Sequence, residues 1–215
     1  MSNSSVFQTL VMPPSVAWLA DTESRADEDL HLALLALGFA VCSDMSAYFQ
    51  NPSLYQGLEV VVCIHNQPVE GNTAATLRQS GLQVVEISLL DKDTTQLAQT
   101  LEARGIRTCP VPMQNFDHDD ELFHLTLQAI LTESPGLLDQ ALDACEKAEI
   151  QDLRRLIHTL KGHTKLLGEN ALAGALQALE DRASRGELLT AEQEALLQDN
   201  LNVFFSRLRL IGQTH

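Results

Sequence analysis

Hydrophobic positions follow two different rules along this chain. From about residue 14 to 113, short apolar runs rich in β-branched residues alternate with helix-like stretches. The runs are VAWLA (16–20), FAVCS (39–43), LEVVVCI (58–64), LQVVEISL (82–89) and IRTCPV (106–111). The clearest helical stretch is 24–37, where Leu30, Leu34 and Leu37 recur at helical spacing and Gly38 stands where a helix ends. A second is 94–104, closed by Gly105, and a shorter one is 72–80, before Gly81. Strands alternating with helices predict a flavodoxin-like α/β domain with a five-stranded parallel sheet. The near-continuous apolar character of LEVVVCI predicts a central strand buried on both faces.

From about 117 to 211 the β signal vanishes and helical periodicity takes over, in stretches 119–133, 135–147, 149–167, 169–185 and 190–211. Leu137, Ala141, Leu142 and Cys145 form one stripe, Leu172, Leu176, Leu179 and Ala183 a second, and Leu197, Leu201, Phe204, Leu208 and Ile211 a third. One-faced helices must pack on each other, so an antiparallel bundle with short loops is expected. Turn chemistry marks the breaks at 134–136 (SPG), 167–170 (LGEN) and 184–187 (SRGE). The expected division is 14–115 for the α/β domain and 116–215 for the helical one. The helix at 119–133 is apolar along two lines, 122-125-129 and 123-127-130, and could serve both domains.

The 215 residues are enough for two small domains with proper cores. Charge narrows the function. Acidic residues outnumber basic ones 29 to 14, a formal net charge of −15. The excess is spread evenly: −7 over 1–113 (5 basic, 12 acidic) and −8 over 114–215 (9 basic, 17 acidic). Such a field argues against nucleic acid and against anionic membrane surfaces as partners. No apolar run approaches the ~20 residues of a spanning helix, and the first residues lack the pattern of a signal peptide. The cytoplasm is the expected compartment. Cys42, Cys63, Cys109 and Cys145 are far apart among apolar neighbours, with no CxxC pair, so buried free thiols are expected rather than a metal or redox site.

Against this acidic background the stretch 149–168, EIQDLRRLIHTLKGHTKLLG, is unusual. Leu153, Leu156, Ile157, Leu160 and Leu167 fall on one face. Arg154, His158, Lys161 and Lys165 stack along another, at steps of four, three and four. Neutral imidazole has a free lone pair that can attack phosphorus, and nearby cations can offset phosphoryl charge. Gly162 sits one turn after His158; inside a helix it costs about 1 kcal/mol relative to alanine, a cost that makes sense if a bulky partner must approach the ring. A solvated surface histidine and a glycine that eases helix packing are the ordinary alternatives.

The run Ile157-His158-Thr159-Leu160-Lys161-Gly162, followed by Leu167-Gly168, resembles the AHxLKGxxxxLG signature of histidine phosphotransfer (HPt) domains. The segments at 130–145 and 172–187 resemble the helices that flank it in that family. The resemblance spans about 119–190. It implies a four-helix phosphorelay bundle with His158 as phospho-acceptor, assisted by Lys161 and Gly162, and with Arg154, Lys165 and His163 on the docking face. His163 departs from the family's usual small residue and would bear on partner choice. It lies about 140° around the helix from His158, so it is not expected to be a second acceptor. The implied partners are receiver domains of response regulators or of hybrid histidine kinases, with Mg²⁺ belonging to the partner's site and no cofactor in this chain. No nucleotide loop is present, so neither kinase nor ATPase activity is expected.

The first half resembles a response-regulator receiver domain with its chemistry removed. Asp21 and Glu23 could form the acidic corner after strand one, and Ser88 could match the Ser/Thr ending strand four. Ile64 stands where the phospho-accepting aspartate belongs, and Val111 where lysine should precede Pro112. This pseudo-receiver would act as a docking or regulatory platform, dimerisation being one such role. Two other readings stay open: a non-catalytic receiver-binding scaffold, and a C-terminal fragment of a hybrid sensor kinase.

Overall fold

A computed structural model describes residues 11, 14–19, 28–42, 45–50, 55, 57–65, 73–88 and 94–213. The chain divides into two compact units. One comprises Met1–Val11 and Pro112–Phe205, the other Met12–Val111 together with Ser206–His215.

The second of these is the α/β unit. Its described elements are β1 (Ser15–Leu19), α1 (Glu28–Ala36), β2 (Ala40–Cys42), α2 (Ser46–Gln50), β3 (Val60–His65), α3 (Thr73–Gln79), β4 (Gln83–Ser88) and α4 (Thr94–Ala103). The strands form one parallel sheet in the order β2-β1-β3-β4, with Val16 opposite Val61 and Val61 opposite Val84. β3 is central, and Val60 through Ile64 are all buried, as its unbroken apolar run predicts. Ile64 is therefore a core residue; Val111 is buried as well. Ser88 ends β4 opposite His65. Asp21 and Glu23 lie outside the described residues. α2 has no counterpart among the expected helices.

The sheet has four strands among the described residues, not the expected five. Residues 106–111 form no strand of the sheet. The Cys109 N–H donates to the Leu37 carbonyl (3.1 Å) and the Val111 N–H to the Ala36 carbonyl (2.9 Å). These carbonyls are among the acceptors a helix leaves open at its C-terminus, here that of α1. Pro110 and Pro112 lack an N–H, which unsuits the run for a ladder. Gly38, at φ +90°, lets the chain pass close beneath: a Cβ there would sit 2.5 Å from the Cys109 carbonyl oxygen. The fully buried Arg207 donates Nε to the Gly38 carbonyl (3.3 Å) and Nη2 to the Cys109 carbonyl (3.5 Å).

The other unit is helical: a 3₁₀ turn (Met113–Phe116), α5 (Asp120–Glu146), α6 (Ile150–Leu166), α7 (Asn170–Ser184) and α8 (Ala191–Gln213), whose last residues belong to the α/β unit. The break expected at 134–136 is absent, and Pro135 lies inside α5. The missing N–H removes one backbone bond. The buried line Phe123, Leu127, Ile130, Ser134, Leu138, Ala141 and Cys145 runs unbroken through it at helical spacing, so core packing carries the helix across. The other apolar line is open: Leu122 is 42% and Leu125 62% exposed. α5 thus buries one line, not two. The 3₁₀ turn closes the bundle's end, with Phe116 edge-on to Phe123 and Asn115 Nδ2 donating to the Leu166 carbonyl at the end of α6.

None of the four cysteines is in a disulfide. Burial pushes the Cys63 thiol up to about 12 and, most strongly among its influences, the Cys145 thiol up to about 11. Thiols held protonated are poor nucleophiles and ligands.

Candidate functional site

The site is built on α6. Asp152 in its first turn and Lys165 in its last match the helix dipole. Gly168, at φ +82°, ends it, with the Gly168 and Glu169 N–H groups closing on the Lys165 and Thr164 carbonyls. Leu153, Leu156, Ile157 and Leu160 are buried, the face expected from their spacing. That burial turns the opposite face outward. There His158 has 64% of its side chain exposed, and Arg154 and Lys165 are exposed on the same line.

Lys161 does not stand free on that line. Its side chain is only 18% exposed, and Nζ donates to Glu180 Oε2 (2.6 Å) and Gln177 Oε1 (2.7 Å), both on α7. The expectation of an open cation beside the histidine is corrected: the buried face of α7 carries a carboxylate that Lys161 must satisfy. The other oxygen of that carboxylate, Oε1, lies 3.0 Å from His158 Nδ1. The Lys161 hydrogen bond, above all, holds the Glu180 carboxyl below its usual range, against the effect of burial and with help from His158. An ionised carboxylate only accepts, so Nδ1 is the nitrogen that donates here, and in the neutral form of the ring the lone pair is on Nε2. The network continues outward from Gln177 Nε2 to Asp181 Oδ1 (2.8 Å).

Gly162 is exposed, and a Cβ built there would meet no atom within 4 Å. Helix packing therefore does not account for it. His163 is placed away from His158, half-buried, with Nδ1 2.8 Å from the hydroxyl of the fully buried Ser134 on α5. Burial lowers its pKa, with Glu133 opposing. The structure thus gathers His158 and Lys161, leaves Arg154, Gly162 and Lys165 open alongside, and turns His163 toward α5.

Glu180 and Gln177 are the members that the spacing argument missed. The signal was in ALQALE (175–180): Glu180 follows Leu176 by four residues, at the rim of the apolar stripe. A carboxylate at such a position needs a partner from the facing helix.

Residues 126–206 match the family model described as Hpt domain. Neither the curated proteins nor the solved structures contain a match to the chain. The matched segment holds His158, Lys161, Gly162 and Glu180, and the four helices of this unit fit an Hpt bundle. No helix among the described residues is long and apolar enough to cross a membrane.

Proposed function

We propose that the protein is a histidine-containing phosphotransfer intermediate of a two-component phosphorelay, taking a phosphoryl group on His158 from a receiver aspartate and passing it on. The observation that carries this reading is an exposed imidazole whose Nδ1 is engaged by Glu180 and whose Nε2 is free, beside a glycine that packing does not require, in a segment matching the Hpt domain. Nε2 attacks phosphorus, and the exposed Arg154 and Lys165 attract the acidic rim of a receiver. The open surface at Gly162 admits the partner's site, which supplies the Mg²⁺. The partners are receivers of response regulators or of hybrid histidine kinases. Neither kinase nor ATPase activity belongs to this chain.

The α/β unit is read as a pseudo-receiver. Its sheet has the 2-1-3-4 strand order of a doubly wound fold, and the buried Ile64 and Val111 offer neither nucleophile nor cation where receiver chemistry needs them.

The test is transfer from a panel of phosphorylated receivers to the full chain. Acid-labile label is expected on the wild type and on His163→Gln, and is expected to vanish in His158→Gln. Equal loss in both variants would overturn the assignment, and stable binding of receivers without label would favour a scaffold.

A further inference from the structure

One half of β4's backbone is unused. The Gln83 N–H donates to the Glu59 carbonyl (2.9 Å), and the parallel register continues with Val85 opposite Val62 and Ile87 opposite Ile64. Alternate residues of such a ladder face the neighbouring strand. Gln83, Val85 and Ile87 therefore turn their backbone groups to β3, and Val84 and Glu86 turn theirs outward. β4 is an outer strand, and the run 106–111, from which a further strand could come, is bonded to α1 instead. Among the described residues, no group bonds to the N–H of Val84 or Glu86 or to the Val84 carbonyl. The Glu86 carbonyl accepts from Arg104 Nη1 (3.2 Å). We infer that this edge binds a second copy of the same chain, the two β4 strands pairing antiparallel across a two-fold axis into one continuous sheet. The inference is independent of the chemistry at His158.

The strand is complementary to itself. Pairing centred on Val85 sets Val84 of each copy opposite Glu86 of the other. These are the two outward residues, so each pair exchanges both of its N–H···O=C bonds. Val85, partly buried on the opposite face, meets its own counterpart on the axis as a close pair that makes no backbone bond.

Charge selects this partner. The chain's net charge of −15 opposes self-association over most of its surface. At this edge the balance differs: of the five basic residues in 1–113, Arg78 on α3 and Arg104 just past α4 both reach Glu86. Arg78 Nη2 lies 2.6 Å from Glu86 Oε1, on the face of the sheet that Val84 shares. Glu86 of the second copy, arriving opposite Val84, enters the same face, where the guanidinium has further N–H groups to offer. A strand lacking that carboxylate would leave them unmatched, which is how a charged edge discourages indiscriminate pairing. One strand of six residues per copy makes a small interface, so a weak dimer is expected, dissociating at about 10–100 µM.

The experiment uses the full chain. Amide hydrogen exchange is read residue by residue by NMR at low and high protein concentration, beside sedimentation velocity. The Val84 and Glu86 amides exchange only from the monomer. For a dimer dissociating at about 50 µM, their exchange should slow about fivefold between about 20 µM and about 1 mM, while the Val85 amide, already bonded to β3, changes little. Val84→Pro removes an outward N–H without touching the ladder to β3 and should weaken the dimer about tenfold or more. Val84→Glu keeps the N–H but sets carboxylates opposite each other, and should be monomeric. Val84→Lys sets a cation opposite Glu86 and should dimerise as well as the wild type. Unchanged Val85 exchange shows that the sheet is intact in each variant. Val84 and Glu86 exchange that does not depend on concentration would overturn the pairing, as would equal loss of the dimer in Val84→Lys and Val84→Glu. Protection of these amides only when a receiver domain is added would assign the edge to a different partner and overturn it too.

Discussion

Lys161→Ala probes the coupling between the site and the stability of its helix pair. Lys161 and Glu180 are 18% and 11% exposed in their side chains and meet at 2.6 Å across α6 and α7. A hydrogen bond to a charged group in such a setting contributes about 1.5–3 kcal/mol. The variant leaves the Glu180 carboxylate nearly buried, with His158 as its remaining partner at the site, so a loss of about 2 kcal/mol is expected near pH 7. The pH dependence has a definite sign. The folded-state carboxyl is held below its ordinary value of 4.5. The stabilisation is therefore complete above that value and is lost as pH falls through the lower, folded-state value. Lys161→Ala should cost most at neutral pH and little in acid, where Glu180 is protonated with or without the lysine. The chain has two units and Trp18, its one tryptophan, lies in the α/β unit, so a single unfolding midpoint is the wrong readout. Hydrogen exchange resolved to α6 and α7, corrected for intrinsic rates, reads the pair directly. Equal losses at neutral and acid pH, or a loss below about 0.5 kcal/mol at pH 7, would refute the coupling, the latter being the size expected of an exposed pair.

Three further outcomes are expected. Gly162→Leu should raise helix stability by up to about 1 kcal/mol, since the position is helical and open, while weakening receiver binding measured by calorimetry; undiminished affinity would remove Gly162 from the docking face. Arg207→Met should cost about 2 kcal/mol by stripping the Gly38 and Cys109 carbonyls of a buried donor. Exchange should then rise at 36–42 and 106–111 but not in α6, and an unchanged α/β unit would contradict the role given to Arg207. Acetyl phosphate should leave no stable aspartyl label on the α/β unit of the full chain, read by mass spectrometry, because Ile64 offers no nucleophile; a label there would end the pseudo-receiver reading.

Periodicity was a reliable guide wherever a whole face is buried. The stripes Leu172-Leu176-Leu179-Ala183 and Leu197-Leu201-Phe204-Leu208-Ile211 are buried as expected. So are the residues behind His158, and their burial alone predicts its exposure. Local signals misled where tertiary packing competes with them. Ser134-Pro135-Gly136 carries every mark of a turn, yet the core line through Ile130, Ser134 and Leu138 outweighs one lost backbone bond. In the stripe expected at 137-141-142-145, Leu137 and Leu142 are only partly buried, while Leu138 and Ala144 point inward. Leucines and alanines on neighbouring positions leave that choice to the facing helix.

The two larger differences share one physical origin: they concern polar groups whose partners lie far away in sequence. IRTCPV has the composition of a strand, but whether its N–H groups meet a strand or the end of a helix depends on which acceptors are open nearby, and here those are the carbonyls of Ala36 and Leu37, some 70 residues earlier. Glu180 likewise reads as one more acidic residue in an acidic chain. Its meaning comes from Lys161 and His158 on the preceding helix, and helical phase on α7 shows only that it sits at the rim of a stripe. The hydrophobic pattern locates a rim and a face, since burial is a property of one element against water. A hydrogen-bond or ion-pair partner is a property of two elements together. For that reason His158 could be singled out from one helix, while the carboxylate against its Nδ1 required the packing of two.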